Sequence, residues 1–269
     1  MSLVFAAIAP HGTLPEAPVD NADATHAALA TLAERFDAAR PDTTIVLTPH
    51  NVHVERHFAV VLAGSMSGSL AEFDAPEVTL VCPVDLELAA QSVVALHDRD
   101  IPVVAASFGA NDPGAATAPM DWGVLIPVWA MGGRHEPPVP VVVVSPARDR
   151  SPGEHVRAGR ALAEAAGASG KRVALIASAD HGHAHDVSGP YGLDPAAAEY
   201  DAQVVEVVRQ NTLAALLDFD PAFVGAAKAD SWWQLLMLGG ALGDGWSSEF
   251  LSYEAPTYFG MLCAAYAPS

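Results

Sequence analysis

Leu3-Val4-Phe5-Ala6-Ala7-Ile8-Ala9-Pro10-His11-Gly12 reads as a buried strand stopped by a proline, a histidine and a glycine. An apolar run of this length suits a strand covered on both faces, and Pro-His-Gly ends it. Thr44-Ile45-Val46-Leu47-Thr48-Pro49-His50-Asn51 repeats the pattern, with strand residues followed by Pro-His. A strand that ends in a turn delivers its first polar side chain to the carboxyl end of a sheet. In open α/β sheets that is the edge where ligands bind. Two histidines brought to one edge by neighbouring strands could share a metal ion.

Outward from these two strands, strand and helix signals alternate. Ala24–Ala39 has apolar residues at spacings of three and four and is expected to be a helix, capped by Asp23 with Asn21 as the alternative. Phe58–Leu62, Val78–Cys82 and Val103–Ala106 read as strands, and Asp85–Asp98 as a helix opened by Pro83. Val124–Trp129 is short, apolar and broken by Pro127. Val139–Val144 is an expected strand with helix Gly153–Ala166 behind it, and Arg172–Ala177 an expected strand followed by helix Pro195–Arg209. From Thr212 the chain reads as mainly helical, with Trp232–Leu242 an apolar helix and Tyr258–Tyr266 a second apolar segment suited to core or interface. Residues 107–122 and 146–153 are rich in Gly, Pro and Asp and are expected loops. No repeat or low-complexity linker divides the chain. Residues 1–269 are therefore read as a single α/β catalytic domain, a layered fold with mostly one central sheet and helices on both faces.

Composition narrows the function. The 269 residues are 51% hydrophobic and 17% charged, which suits a core-forming protein and not a disordered one. Lys+Arg 13 against Asp+Glu 32 gives a net charge of −19. Such a surface repels phosphate backbones and anionic lipid, so neither nucleic acid nor membrane is an expected partner. Cys82 and Cys263 both lie in apolar runs and read as buried thiols, with no disulfide framework. The N-terminus lacks the basic start of a secretory signal, and no apolar run approaches the ~20 residues of a membrane span. A cytoplasmic location and a homo-oligomeric state are the expectations.

Two further segments carry chemistry. Ser178-Ala179-Asp180-His181-Gly182-His183-Ala184-His185-Asp186 follows the strand Arg172–Ala177 directly, so its histidines also fall at a strand's carboxyl end. Some zinc hydrolases carry His-x-His-x-Asp-His on such a loop. His181-x-His183-x-His185-Asp186 lacks the aspartate at the fifth position, so the hydrolase reading fits poorly. In Ser252-Tyr253-Glu254-Ala255-Pro256-Thr257-Tyr258-Phe259-Gly260, Glu254 is either a solvated charge stabilised by a helix dipole or a ligand. With His11 and His50 it would complete a two-histidine, one-carboxylate set, the arrangement that suits non-haem Fe(II) in oxygenases.

Taken together, these segments resemble the class III extradiol ring-cleavage dioxygenases, the family of the protocatechuate 4,5-dioxygenase catalytic subunit. The resemblance runs over essentially the whole chain. It implies that His11 and His50 are the two metal histidines and that Glu254, in Glu254-Ala255-Pro256-Thr257-Tyr258, is the carboxylate ligand. It implies Fe(II) as the cofactor, with zinc or manganese possible in purified protein, and dioxygen plus a catechol or aminophenol as substrates. Ser178-Ala179-Asp180-His181-Gly182-His183 is similar to the family's Ser-Gly-Gly-x-Ser-His loop, which puts His183 on the catalytic acid–base histidine. Asp121, Trp122, His53 and His181 are the implied substrate-pocket residues, with His57 and His185 as outer candidates.

One position departs from the pattern. Members often carry Asp-His-Gly where this chain has Asp121-Trp122-Gly123. An indole cannot exchange a proton near neutrality, although it can stack on an aromatic ring. Two functions therefore stay open: a ring-cleavage dioxygenase, or a Memo-like metal-binding relative of the same fold that has lost that chemistry.

Overall fold

β1 (Leu3–Ala9), β2 (Thr43–Leu47) and, between them, the strand Val173–Ser178 run parallel at the centre of the molecule, so the chain returns from far along the sequence to fill a gap left early. The structure is a computed structural model and describes residues 3–269. In chain order the elements are β1, α1 (Asp23–Ala39), β2, β3 (Phe58–Val61), β4 (Ser65–Leu70), β5 (Ala75–Pro83), α2 (Leu86–His97), β6 (Val103–Ala106), β7 (Thr117–Pro119), α3 (Trp122–Ala130), β8 (Val141–Ser145), α4 (Pro152–Ala168), β9 (Val173–Ser178), α5 (Pro195–Arg209), α6 (Pro221–Ala226), α7 (Trp232–Leu242), β10 (Trp246–Glu254) and β11 (Met261–Pro268).

Eight strands form one sheet in the order β10-β11-β1-β9-β2-β8-β3-β6. Its central run β1-β9-β2-β8 is parallel, and the hairpin β10–β11 joins it antiparallel along β1. Every residue of β2, β8 and β9 is buried, as expected of parallel strands covered on both faces. α4 packs on α2 and α7, while α1 and α3 touch each other, so helices flank the sheet. A smaller three-stranded sheet, β5-β4-β7, stands apart from the large one.

α4 and α7 approach closely because each offers a glycine to the other's backbone. A Cβ on Gly159 would overlap the Met237 carbonyl, and one on Gly240 would overlap the Val156 carbonyl. This contact seats α7, and with it the residues just before α7, against the sheet.

Several expectations change. The end of the chain is a strand hairpin, not helix: Tyr258–Tyr266 spans the turn and most of β11. A short apolar run cannot be told from a buried helix by periodicity alone. Val124–Trp129 lies within helix α3, which tolerates Pro127 and is capped by Asp121. Val78–Cys82 is a strand of the small sheet, whose partner β4 is serine- and glycine-rich and half exposed. Neither Asp23 nor Asn21 caps α1; the cap position is Ala22, with no side-chain bond. Glu254, from the end of β10, supplies the missing acceptor: its Oε1 takes the Thr25 N–H at 2.7 Å.

Candidate metal centre

β1, β9 and β2 end side by side, with Ala9 opposite Ser178 and Leu47 opposite Ala177. His11, Asp180 and His50 follow these three ends. Just before α7 stands Asp230, and His11, His50 and Asp230 bring one ligand atom each within 4.8 Å of one another. Among the described residues this is the one such cluster of metal-ligating type. Asp230 Oδ2 lies 3.6 Å from His11 Nε2 and 3.5 Å from His50 Nε2, too far for good hydrogen bonds. Asp230 Oδ1 is buried without any partner. Three donors around a common point, none satisfying another, are what a bound cation would resolve.

The neighbours fix the donors. Pro127 has no N–H, so the carbonyl of Gly123, four residues earlier in α3, lacks its helical donor. The Ser178 hydroxyl donates to that carbonyl instead. Ser178 Oγ must then accept from His11 Nδ1, 3.0 Å away, which leaves His11 Nε2 for the centre. The His50 turn is clamped from three sides. The Ser145 hydroxyl donates to the His50 carbonyl at 2.7 Å, Arg148 donates to the Pro49 carbonyl at 3.1 Å, and Asn51 N–H donates to Asp121 Oδ2 at 2.6 Å.

The electrostatics favour positive charge here. Asp180, whose Oδ1 accepts the His11 N–H at 3.1 Å, and Asp230 are both buried. Burial opposes protonation of His11, but Asp180 and Asp230 outweigh it and hold the imidazole up to about 9. Burial raises Asp230, but His11 and His50 lower it more, and the net effect is well below the usual carboxylate range. Burial raises Asp180, with His11 offsetting part of the rise. A cation at this point would take over the balancing role of the His11 proton.

The centre opens into a cavity of about 1120 Å³. His183 lines it, stacked on Phe259 at 5.7 Å and beside Tyr258 and Tyr191. Its Nδ1 donates to the His181 carbonyl at 2.7 Å, so Nε2 carries the free lone pair. Trp122 also lines the cavity, with its ring 4.8 Å from that of His50.

Four expected site residues stand elsewhere. Glu254 is not in the cluster, because it is committed to the first turn of α1; Asp230 occupies the carboxylate position. His181 is fully buried behind the centre, with Nδ1 2.9 Å from Ser231 Oγ, and burial lowers its pKa. Asp121 does not line the cavity; it caps α3 and holds Asn51. His53 is exposed and outside the cavity wall. Of the outer candidates, His57 Nδ1 meets the Glu55 carbonyl, and His185 pairs with Asp201 at 2.8 Å. Among the described residues, His181, His183 and His185 belong to no metal-ligating cluster, so this loop gives the hydrolase reading no support.

Over residues 6–262 the chain matches the family described as the catalytic LigB subunit of aromatic ring-opening dioxygenase. The chain belongs to this family. Its members are typically metal-dependent, in keeping with the donors at the sheet edge. The LigB-family chain is 24% identical over 224 residues to Protein CA_C1420 of Clostridium acetobutylicum, covering 83% of this chain and 47% of that protein. It thus spans about half the length of that curated relative. The crystal structure of an uncharacterized protein, JW3007, from Escherichia coli K12 shares its fold at a TM-score of 0.63 and 21% identity, covering 97% of this chain and 99% of that one. No helix of the described residues is long and apolar enough to cross a membrane.

Proposed function

We propose that this LigB-family chain is a metal-dependent extradiol-type dioxygenase that opens the ring of a catechol or aminophenol, with His11, His50 and Asp230 as the metal ligands. The observation that carries this is the orphaned Asp230 carboxylate facing two histidines at the base of an aromatic-walled cavity. A two-histidine, one-carboxylate set with open positions suits Fe(II). When bound, Fe(II) supplies Lewis acidity toward adjacent oxygen or nitrogen atoms of the substrate and a redox partner for dioxygen.

The chain's own groups do the rest. Phe259, Tyr258 and Trp122 offer flat faces on which an aromatic substrate stacks. His183, whose Nδ1 proton is held by the His181 carbonyl, takes a substrate hydroxyl proton at Nε2 and returns it later in the reaction. Ser178 keeps the His11 ring from turning, and the clamped turn does the same for His50. The test loads the protein with Fe(II) without oxygen, adds a panel of catechols and aminophenols, admits air and follows product absorbance. Ring-opened product is expected. His183→Ala should keep its metal and lose turnover by about 10²–10⁴-fold.

Trp122 favours a second reading, a metal-binding protein of this fold without ring-cleavage activity. The indole sits beside His50 and transfers no protons. Under that reading the Fe(II)-loaded wild type is inert to the whole panel. Under the first, Trp122→His changes the substrate range or raises activity on simple catechols, since it removes part of the cavity wall.

A further inference from the structure

The peptide unit joining His181 to Gly182 is bonded at both ends. Its carbonyl accepts from His183 Nδ1 at 2.7 Å, and its N–H donates to Asp201 Oδ1 at 2.7 Å. The peptide is trans, so its C=O and N–H point in opposite directions and the three groups form a chain: carboxylate, peptide, imidazole. We propose that Asp201 is a positioning residue for His183 and acts on it through this peptide bond.

Several features show a built arrangement. Asp201 lies on α5 and is 1% exposed. Its Oδ2 accepts from the Tyr253 hydroxyl at 2.7 Å and sits 2.8 Å from His185 Nε2, so the carboxylate is held at several points. Ala197, one turn earlier on the same face of α5, packs so close to the loop that a Cβ on Gly182 would lie 2.9 Å from both its Cα and its carbonyl oxygen. Glycine at 182 lets the helix approach, and the approach lets Asp201 reach the Gly182 N–H. The far end of the loop is fixed too, since His183 N–H donates to the Ala227 carbonyl at 2.9 Å.

The consequence is chemical as well as geometric. A carboxylate on the N–H polarises the peptide and makes its carbonyl a stronger acceptor, because hydrogen bonds in a chain strengthen one another. The stronger acceptor holds His183 in the Nδ1–H tautomer. It also stabilises the positive charge that the ring gains whenever Nε2 takes a proton. This is the task an aspartate performs when bonded directly to a catalytic histidine. Here one backbone unit stands between them.

The inference rests on the reading of His183 as the proton carrier, but its test does not need turnover. With histidine labelled by nitrogen-15 and no metal present, wild-type His183 should show Nδ1 protonated in its neutral form, with a downfield Nδ1 proton that exchanges slowly. Asp201→Asn keeps an acceptor for Gly182 but removes the charge, and should move that proton upfield and speed its exchange. Tyr253→Phe removes another partner of the same carboxylate and should leave the signal in place. In the Fe(II)-loaded enzyme, Asp201→Asn should lower kcat about tenfold or more with KM little changed. An Nε2–H tautomer in the wild type, or a signal unmoved in Asp201→Asn, overturns the inference. If Asp201→Asn does not fold, an Nε2–H tautomer in the wild type still overturns the inference. A protein inert to every catechol that still gives these spectra refutes the dioxygenase reading and leaves the link between Asp201 and His183 standing.

Discussion

Glu254 and Asp230 are both carboxylates beside aromatic residues, and the fold gives them opposite work. Glu254 accepts an orphan N–H in the first turn of α1, where the helix dipole also favours its charge. Asp230 leaves an oxygen unpartnered between two histidines. Asp230→Asn should therefore weaken binding of Fe(II) or Zn(II) at least about 100-fold, the upper end of what even outer partners of a metal site contribute. Glu254→Ala should leave metal affinity unchanged and cost about 1 kcal/mol of stability, the worth of a lost cap. Calorimetric titration and urea unfolding separate the two. In the sequence, His11 and His50 are legible because each ends a strand after a proline. Asp230 is not, because it stands just before Trp232–Leu242, where an aspartate ordinarily caps a helix. Its partners are distant in sequence, and only the packing of α7 brings them near.

The helices place that aspartate through close contact. Gly159 and Gly167 lie on the same helix, α4, in opposite situations. A Cβ at 159 would strike the backbone of α7, whereas a Cβ at 167 would meet nothing within 4 Å. Gly159→Ala is expected to destabilise by about 1–3 kcal/mol through overpacking. Gly167→Ala should be neutral or add up to about 1 kcal/mol through helix propensity. Urea unfolding of the two variants checks both signs. The same contrast explains what was readable among the elements. Val103–Ala106, Pro195–Arg209 and Trp232–Leu242 have the bounds expected of them, since apolar spacing and flanking breakers define them locally. The β10–β11 hairpin was not readable as strands, because β11 is apolar at nearly every position and gives no alternation. β4 is not legible as a strand because Ser65-Met66-Ser67-Gly68-Ser69-Leu70 resembles a loop in composition.

Across the whole molecule, the strand order decides what the site can be. With β9 between β1 and β2, three strand ends bring His11, the Asp180 loop and His50 to one edge. Acid should loosen this assembly partly through a histidine that is not one of the metal donors. His155 on α4 is buried against Phe58, and burial outweighs the Ser151 carbonyl and Glu154 to hold its pKa down to about 4. Unfolded, the same group titrates near 6.5. Between those values the unfolded chain binds a proton that the folded chain refuses, so stability falls as pH drops from about 6.5 to about 4. At about 1.4 kcal/mol per tenfold change in proton affinity, this group contributes at most roughly 3 kcal/mol of that loss. His155→Leu removes it, and the Ser151 carbonyl keeps the Glu154 N–H as partner. The difference in unfolding free energy between wild type and His155→Leu, read at pH 7 and pH 4.5, should shrink or change sign at the lower pH. The central claim concerns the sheet edge itself, and anomalous diffraction from crystals loaded with Fe(II) in the absence of oxygen tests it most directly. The expected result is one strong peak about 2.0–2.2 Å from His11 Nε2, His50 Nε2 and an Asp230 oxygen, with His183 facing it unbound. A peak bound instead by Glu254 or by His183, or none at these three residues in fully loaded crystals, would contradict it.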